Sequence, residues 1–214
     1  MERVICLIIG YAFGMIQTSY ILGRIKGIDI RSKGSGNAGT TNAMRVLGKK
    51  AGFATVFVDI IKCIAAVLVT SAIFKGSDMG ALLRIYTGAG VVLGHDFPFY
   101  LKFHGGKGIA ATAGLIISFM DWRLILIGVI CFFIPFFATH YVSLSSLMLS
   151  ASFIIGIIIF GQLGSYEMDG ARLIEMYIVV AFLTALAYIQ HRANIGRLIH
   201  GNERRWGAKY KKQQ

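Results

Sequence analysis

Charged side chains are scarce in this chain, and acidic ones scarcer still: 15% of residues are charged, with 10 acids against 22 Lys and Arg. With 56% hydrophobic residues and a mean hydropathy of +0.66, so little charge excludes an ordinary soluble domain of 214 residues and points to a membrane protein. Proline is nearly absent, two residues against 26 glycines, which excludes a proline-rich tail or linker. The three cysteines, Cys6, Cys63 and Cys131, all sit inside apolar runs without metal-ligand spacing. They read as small buried hydrophobes, and a disulfide framework is excluded. His95, Asp96 and His104 have no second carboxylate or cysteine spaced to complete a metal site, so no metal or other cofactor is expected.

What is present is a series of long apolar runs. Residues 4–22, 52–74, 81–101, 122–139, 142–163 and 173–190 are each about long enough to cross a hydrocarbon core of ~30 Å as helix. A seventh run, 109–120, is too short to cross unless it is tilted, buried in protein, or extended by its leader Gly105-Gly106-Lys107-Gly108. The first run lacks the basic start of a cleaved signal and is followed by the flank Gly23-Arg24-Ile25-Lys26.

Basic residues set the orientation. Of the 22 Lys and Arg, 16 fall in residues 24–50, at Lys102 and Lys107, and in residues 192–212. The positive-inside rule puts all three places in the cytoplasm. Asp78, Asp121, Glu167, Asp169 and Glu175 fall in the other connections. For the segments after the first and last runs to share a side, the number of crossings must be odd. The expectation is therefore an all-α integral membrane protein, one polytopic domain over residues 1–214. It has seven transmembrane helices, one of them short, with the N-terminus outside and the C-terminus cytoplasmic.

Three polar segments, 31–50, 94–114 and 191–203, then face one compartment and can converge on an anionic ligand. In the first, Gly34, Ser35, Gly36 and Asn37 allow positive φ and close backbone approach, so that successive N–H groups can form an anion nest. Thr41 or Asn42 can N-cap a short helix carrying Arg45, whose guanidinium fork suits phosphate. The competing reading is a flexible linker with a capped helix. In the second, Gly105, Gly106, Lys107 and Gly108 lead into an apolar helix whose N-terminal dipole and free N–H groups favour an anion. This is not a Walker A loop, because Gly108 follows the lysine. A glycine-rich helix junction with a snorkelling lysine accounts for it equally.

In the third segment His191 and Asn194 lie three apart on one helix face, with Arg192 and Arg197 turned elsewhere. Arg204, Arg205, Lys209, Lys211 and Lys212 read as a basic stretch resting on anionic lipid. Glu203, the lone acid among them, reads as structural, tying the tail to one of the loops. Asp59 and Lys62, one turn apart within a span, read as an intramembrane ion pair. Asp169-Gly170-Ala171-Arg172 has the wrong spacing for the acidic motif of CDP-alcohol phosphatidyltransferases, and His140 has no evident partner.

Taken in order and at these separations, GSGNAGTTNAMRVLG, GHDFPFYLKFHGGKGIAA and HRANIGRLIHGNE resemble the three motifs of the bacterial acyl-phosphate:glycerol-3-phosphate acyltransferases, the PlsY family. The resemblance covers nearly the whole chain. One departure is Ile109-Ala110-Ala111, where the family often has Val-Ala-Thr. The resemblance implies transfer of an acyl group from acyl phosphate to the sn-1 hydroxyl of glycerol 3-phosphate, giving lysophosphatidic acid and phosphate. It implies the bacterial inner membrane, with a site on its cytoplasmic face, and a functional link to an acyl-phosphate-forming enzyme. It also implies no nucleic-acid partner.

The residues fit that chemistry. No His is followed five positions later by Asp, so the His-x4-Asp motif of other glycerolipid acyltransferases is absent, and the three segments hold no Ser-His-Asp grouping. An acyl phosphate is a mixed anhydride, already activated, and needs chiefly positioning and charge stabilisation. The expected catalytic residues are His191, Asn194 and Ser35, with a substrate phosphate oxygen, helped by His191, accepting the hydroxyl proton. The rival classes are a small transporter, for which no internal repeat with paired helix breaks is present, and a CDP-alcohol transferase, which would need an acidic metal cluster.

Overall fold

The computed structural model describes residues 1–207 and is all-helical over them. Lys209, Lys211 and Lys212 of the expected lipid-facing stretch lie outside the described residues. The helices are α1 Glu2–Gly14, α2 Thr18–Ile25, α3 Thr40–Leu47, α4 Lys49–Ile73, α5 Gly80–Asp96, α6 Ile109–Ser118, α7 Trp122–Thr139, α8 Val142–Gln162, α9 Gly170–Gln190 and α10 Arg192–Ile199. Five stretches are long and apolar enough to cross a membrane: Glu2–Ile25, Lys49–Ile73, Trp122–Thr139, Val142–Gln162 and Gly170–Gln190. With α5 and the ten-residue α6, they carry the described chain back and forth between two ends of the bundle.

Contacts between loops define those ends. At one, Ser77 Oγ donates to Glu2, Arg172 pairs with Asp78, and Arg123 donates to Ser165. At the other, Arg31 donates to the Leu101 carbonyl, the Ala38 N–H to Gly105 O, and the Trp206 N–H to His140 O. The three polar segments therefore share one end, and His140, partnerless in the sequence, is where the tail docks.

α5 lies at the centre, packed on α1, α4, α6 and α9. Its approach to α1 depends on small residues. A Cβ on Gly10 would lie 2.1 Å from Thr87 O, and one on Gly90 2.3 Å from Leu7 O, so the two backbones touch where any side chain would part them.

Two sequence boundaries are corrected. The run at 4–22 is not one continuous helix: it breaks at residues 15–17, between α1 and α2. The carbonyls freed there are met by distant side chains. Tyr100 donates to Met15 O at 2.6 Å, and Lys62 Nζ to Gly14 O at 3.1 Å and Ile16 O at 2.8 Å. A broken helix survives at membrane depth only with such partners. The run at 81–101 stops as α-helix at Asp96, because Pro98 disfavours helical backbone in Phe97.

Beyond α5 the chain turns back on itself: the N–H groups of Gly105 and Gly106 donate to Asp96 O at 3.0 Å and His95 O at 2.9 Å. α6 therefore starts beside the last turn of α5, inside the bundle. That return explains how a helix of ~15 Å can reach the far end.

Candidate active site

A cavity of about 720 Å³ opens at the end that gathers the polar segments. Of the residues expected there, Gly34, Ser35, Gly36, Asn37, Thr41, Asn42, Arg45, Lys107, Gly108, His191, Asn194 and Glu203 all line it. Gly105 and Gly106 do not; they stand behind Lys107, with their N–H groups spent on α5.

The first segment departs from the expected nest. Gly34 and Gly36 do adopt positive φ, +65° and +76°. The neighbouring N–H groups, however, are already used: Ser35 N–H donates to Asn42 Oδ1 at 2.8 Å, Gly36 N–H to Lys33 O, and Ala38 N–H to Gly105 O. Nor do Thr41 or Asn42 cap α3, whose N-cap is Gly39. Asn42 is buried and donates its amide to the carbonyls of Ile30, Lys33 and Asn37. It organises the loop and has no amide hydrogen left for a ligand. The donors facing the cavity are the first turn of α3, the hydroxyls of Ser35, Thr40 and Thr41, and Arg45.

A second helix start points into the same space. α6 begins at Ile109 after Gly108, which holds φ +69° as its N-cap, and Gly108, Ile109 and Ala110 line the cavity. Two helix N-termini thus meet on one volume, each with unpaired N–H groups and a positive dipole end. The cations around them have little acid to answer them. Glu203 is the acid near the mouth, and it accepts from Arg197 Nε at 2.7 Å and from Asn194 Nδ2 at 2.9 Å. Asn194 in turn accepts from Lys107 Nζ. Glu203 therefore ties the tail to α10, not to another loop as expected, and it orients Asn194 toward Lys107.

Burial, with Arg197 nearby, pushes the Lys107 amine down to about 8. Burial and then the adjacent Arg204 hold Arg45 below its ordinary value, while it stays cationic. A group of cations, Arg45 and Lys107 half-buried, with one nearby acid to answer them is a site that gains from an anion.

His191 caps the junction of α9 and α10 and is 4% exposed. Its Nδ1 lies 2.7 Å from Ala187 O, which can only accept, so Nδ1 carries the proton and Nε2 keeps its lone pair. Burial first, then the Lys107 charge, pushes the ring down to about 4, so it is neutral at pH 7. It can accept a proton from a hydroxyl held in the cavity.

Away from the polar mouth the cavity turns apolar, lined by Ile60, Ile116, Ile125, Val129, Phe132 and Phe133 of α4, α6 and α7. Val129 and Phe133 are 46% and 44% exposed, so the apolar part of the volume is open and not sealed inside the bundle.

Comparison with known proteins decides the family. The family model described as glycerol-3-phosphate acyltransferase matches residues 4–201. The chain belongs to the glycerol-3-phosphate acyltransferase family. It is similar to the glycerol-3-phosphate acyltransferase of Clostridioides difficile, 38% identical over 96% of each chain, and to that of Thermoanaerobacter pseudethanolicus, 38% identical over 98% of each. It is also similar to the crystal structure of PlsY, an integral membrane glycerol 3-phosphate acyltransferase, in its glycerol 3-phosphate form. The TM-score is 0.81 and the identity 32%, covering 97% of this chain and 96% of that one. The lysophosphatidic acid form of the same enzyme gives a TM-score of 0.78 at 31% identity.

Further residues of this acyltransferase reach the cavity. Arg192, Arg197 and Arg204 line the cavity, so neither Arg192 nor Arg197 is turned elsewhere. Ser143 and Ser146, at the start of α8, line it too, and Ser143 Oγ is buried without a hydrogen-bond partner among the described residues. Ser143, Ser146 and Ser150 recur at helical spacing inside an apolar run, a polar stripe that was available as a signal. Asp59 and His95 also reach the cavity. The Asp59 and Lys62 pair is formed as expected, with 2.8 Å between charged atoms.

Proposed function

We propose that this acyltransferase moves a fatty acyl group from acyl phosphate to the sn-1 hydroxyl of glycerol 3-phosphate, releasing lysophosphatidic acid and phosphate. One observation carries the reading: a single cavity joins a polar mouth, with two helix N-termini and several cations, to an open apolar cleft. A donor with one phosphate and one tail fits both parts at once. The glycerol 3-phosphate dianion enters from the polar end. The hydroxyl oxygen bonds to the acyl carbon as the acyl–oxygen bond to phosphate breaks. The hydroxyl proton passes to a substrate phosphate oxygen, with the His191 Nε2 lone pair assisting, and leaves on the hydrogen phosphate.

Ser35, Arg45 and Thr41 hold one phosphate with the start of α3, and Lys107, Gly108 and Asn194 hold the other with the start of α6. No side-chain nucleophile is needed, because the anhydride is already activated. The chain crosses the bacterial inner membrane seven times, N-terminus outside, with the cavity on the cytoplasmic side near an enzyme that makes acyl phosphate. The charge bias of the loops and the shared end of the three polar segments support that orientation.

The deciding assay gives the purified protein glycerol 3-phosphate with either acyl phosphate or acyl-CoA. Lysophosphatidic acid is expected from the phosphate donor; activity with the thioester alone would overturn the reading. Single cysteines at Ser32, Lys102 and Asn202, in a background with Cys6, Cys63 and Cys131 replaced, should be shielded in intact cells from an impermeant thiol reagent. A cysteine at Ser77 should label.

A further inference from the structure

Beneath the cavity lies a buried polar cluster with no part in the chemistry above. Lys62 Nζ donates to Gly14 O at 3.1 Å and Ile16 O at 2.8 Å, and it lies 2.9 Å from His95 Nδ1. Asp59 Oδ1 sits 2.8 Å from the same ammonium as its charge partner and 3.6 Å from His95 Nδ1, beyond hydrogen-bond reach of the ring. An ammonium has three hydrogens and no lone pair. Two of them go to carbonyls, which only accept. The third leaves His95 Nδ1 no role but acceptor, so the ring proton sits on Nε2.

Lys62 thus fixes the tautomer of His95, as the Ala187 carbonyl fixes that of His191, with the opposite result. His191 turns a lone pair to the cavity, and His95 turns a donor. The His95 ring is 3% exposed and lines the cavity, and its Nε2 has no hydrogen-bond partner among the described residues. It lies against the turn that delivers Lys107: a Cβ on Gly106 would be 1.9 Å from Nε2. Nε2–H is thus an open donor on the cavity wall, where a bound ligand can supply the acceptor.

We propose that His95 is a further substrate-contacting residue, its Nε2–H donating to an oxygen of a phosphate bound beside Lys107 and the start of α6, and that Lys62 and Asp59 are positioning residues that hold it so. The phosphate belongs to the acyl donor or to glycerol 3-phosphate. The proposal rests on the reading of the cavity as the acyl-transfer site; failure of the wild-type donor assay would sink that reading, whereas the variants below bear on His95 alone.

The test uses the full chain in detergent. With ¹⁵N-labelled histidine, His95 should appear as the Nε2–H tautomer and His191 as Nδ1–H, and inorganic phosphate should shift the His95 Nε2 resonance. His95→Gln keeps an N–H near Nε2, whereas His95→Asn keeps polar atoms only near Nδ1. The asparagine variant should lose roughly 10- to 100-fold in kcat/KM, as expected for a hydrogen bond to a charged group, with glutamine recovering much of it. The KM that rises in His95→Asn, for donor or for glycerol 3-phosphate, identifies which phosphate is held. An Nδ1–H tautomer in the wild type, a phosphate titration that leaves Nε2 unmoved, or a stably folded His95→Asn within twofold of wild type would each overturn the proposal. The spectrum of the wild type decides even if the variants fail to fold.

Discussion

The two ends of this helix bundle treat their cations in opposite ways. At the end holding the N-terminus, three arginines are matched to acids: Arg3 chelates Glu175 with its second bond at 2.7 Å, Arg123 holds Asp121 at 2.7 Å, and Arg172 holds Asp78 at 2.7 Å, while Arg84 donates to Phe119 O. At the other end Arg45, Arg192, Arg204 and Lys107 surround a cavity, and the acid beside them, Glu203, is already taken by Arg197 and Asn194. Matched charge close the connecting loops and ask for nothing further. Unmatched charge at a pair of helix N-termini is stored binding energy for an anion. The difference separates scaffold from site more sharply than charge content, since both ends are rich in arginine.

The strongest way to break the comparison is Arg45→Ala. If its unmatched guanidinium holds phosphate in the transition state, kcat/KM should fall by about 2 to 4 kcal/mol of stabilisation, with the thermal midpoint little changed. Arg45→Lys should recover little, because an ammonium cannot form the two-pronged contact. Near-normal turnover in Arg45→Ala would make the two ends equivalent.

The pH profile gives the next effect. Lys107 is held down to about 8, so its cation is present below that pH and is lost as pH rises through it. The wild-type kcat/KM, which reports the free enzyme, should therefore decline on the alkaline side of about pH 8. Lys107→Arg, if active, should lose that decline. A flat wild-type profile to about pH 9.5 would show either that the amine is not held down or that its charge contributes nothing to capture of substrate.

Ser143→Ala is expected to cost less, about 1 kcal/mol, seen mainly as a raised KM, because the unpartnered hydroxyl offers one neutral hydrogen bond. Smallest of all should be Arg172→Ala at the opposite end. Its pairing with the exposed Asp78 is screened by solvent and adds little stability, and turnover should stay within twofold of wild type. A large activity loss there would show that the two ends are coupled.

Much of the site was legible in the sequence because unusual composition stands out in one dimension. Glycines, hydroxyls and cations interrupt greasy runs at three places, and positive charge gathers in those same places. What could not be read was which donors remain available. Ser35, Gly36, Gly105 and Gly106 look like a phosphate cradle, yet their N–H groups are used inside the protein, and Asn42 spends its amide on three carbonyls. Periodicity also carries no mark of the break between α1 and α2, since residues 15–17 include neither proline nor glycine.

By itself the sequence determined the membrane class, the clustering of cations in three segments, and the small set of residues able to meet a phosphate, because hydropathy, charge and residue chemistry belong to the chain before it folds. Only the tertiary structure decided which N–H groups stay open, that Arg192, Arg197 and Arg204 join the cavity, that Lys62 closes a broken helix, and which nitrogen of each buried histidine holds its proton. Those outcomes depend on hydrogen bonds between groups far apart along the chain, such as Lys62 with Gly14 or Lys107 with Asn194, and such a bond exists only when packing brings both partners to one place.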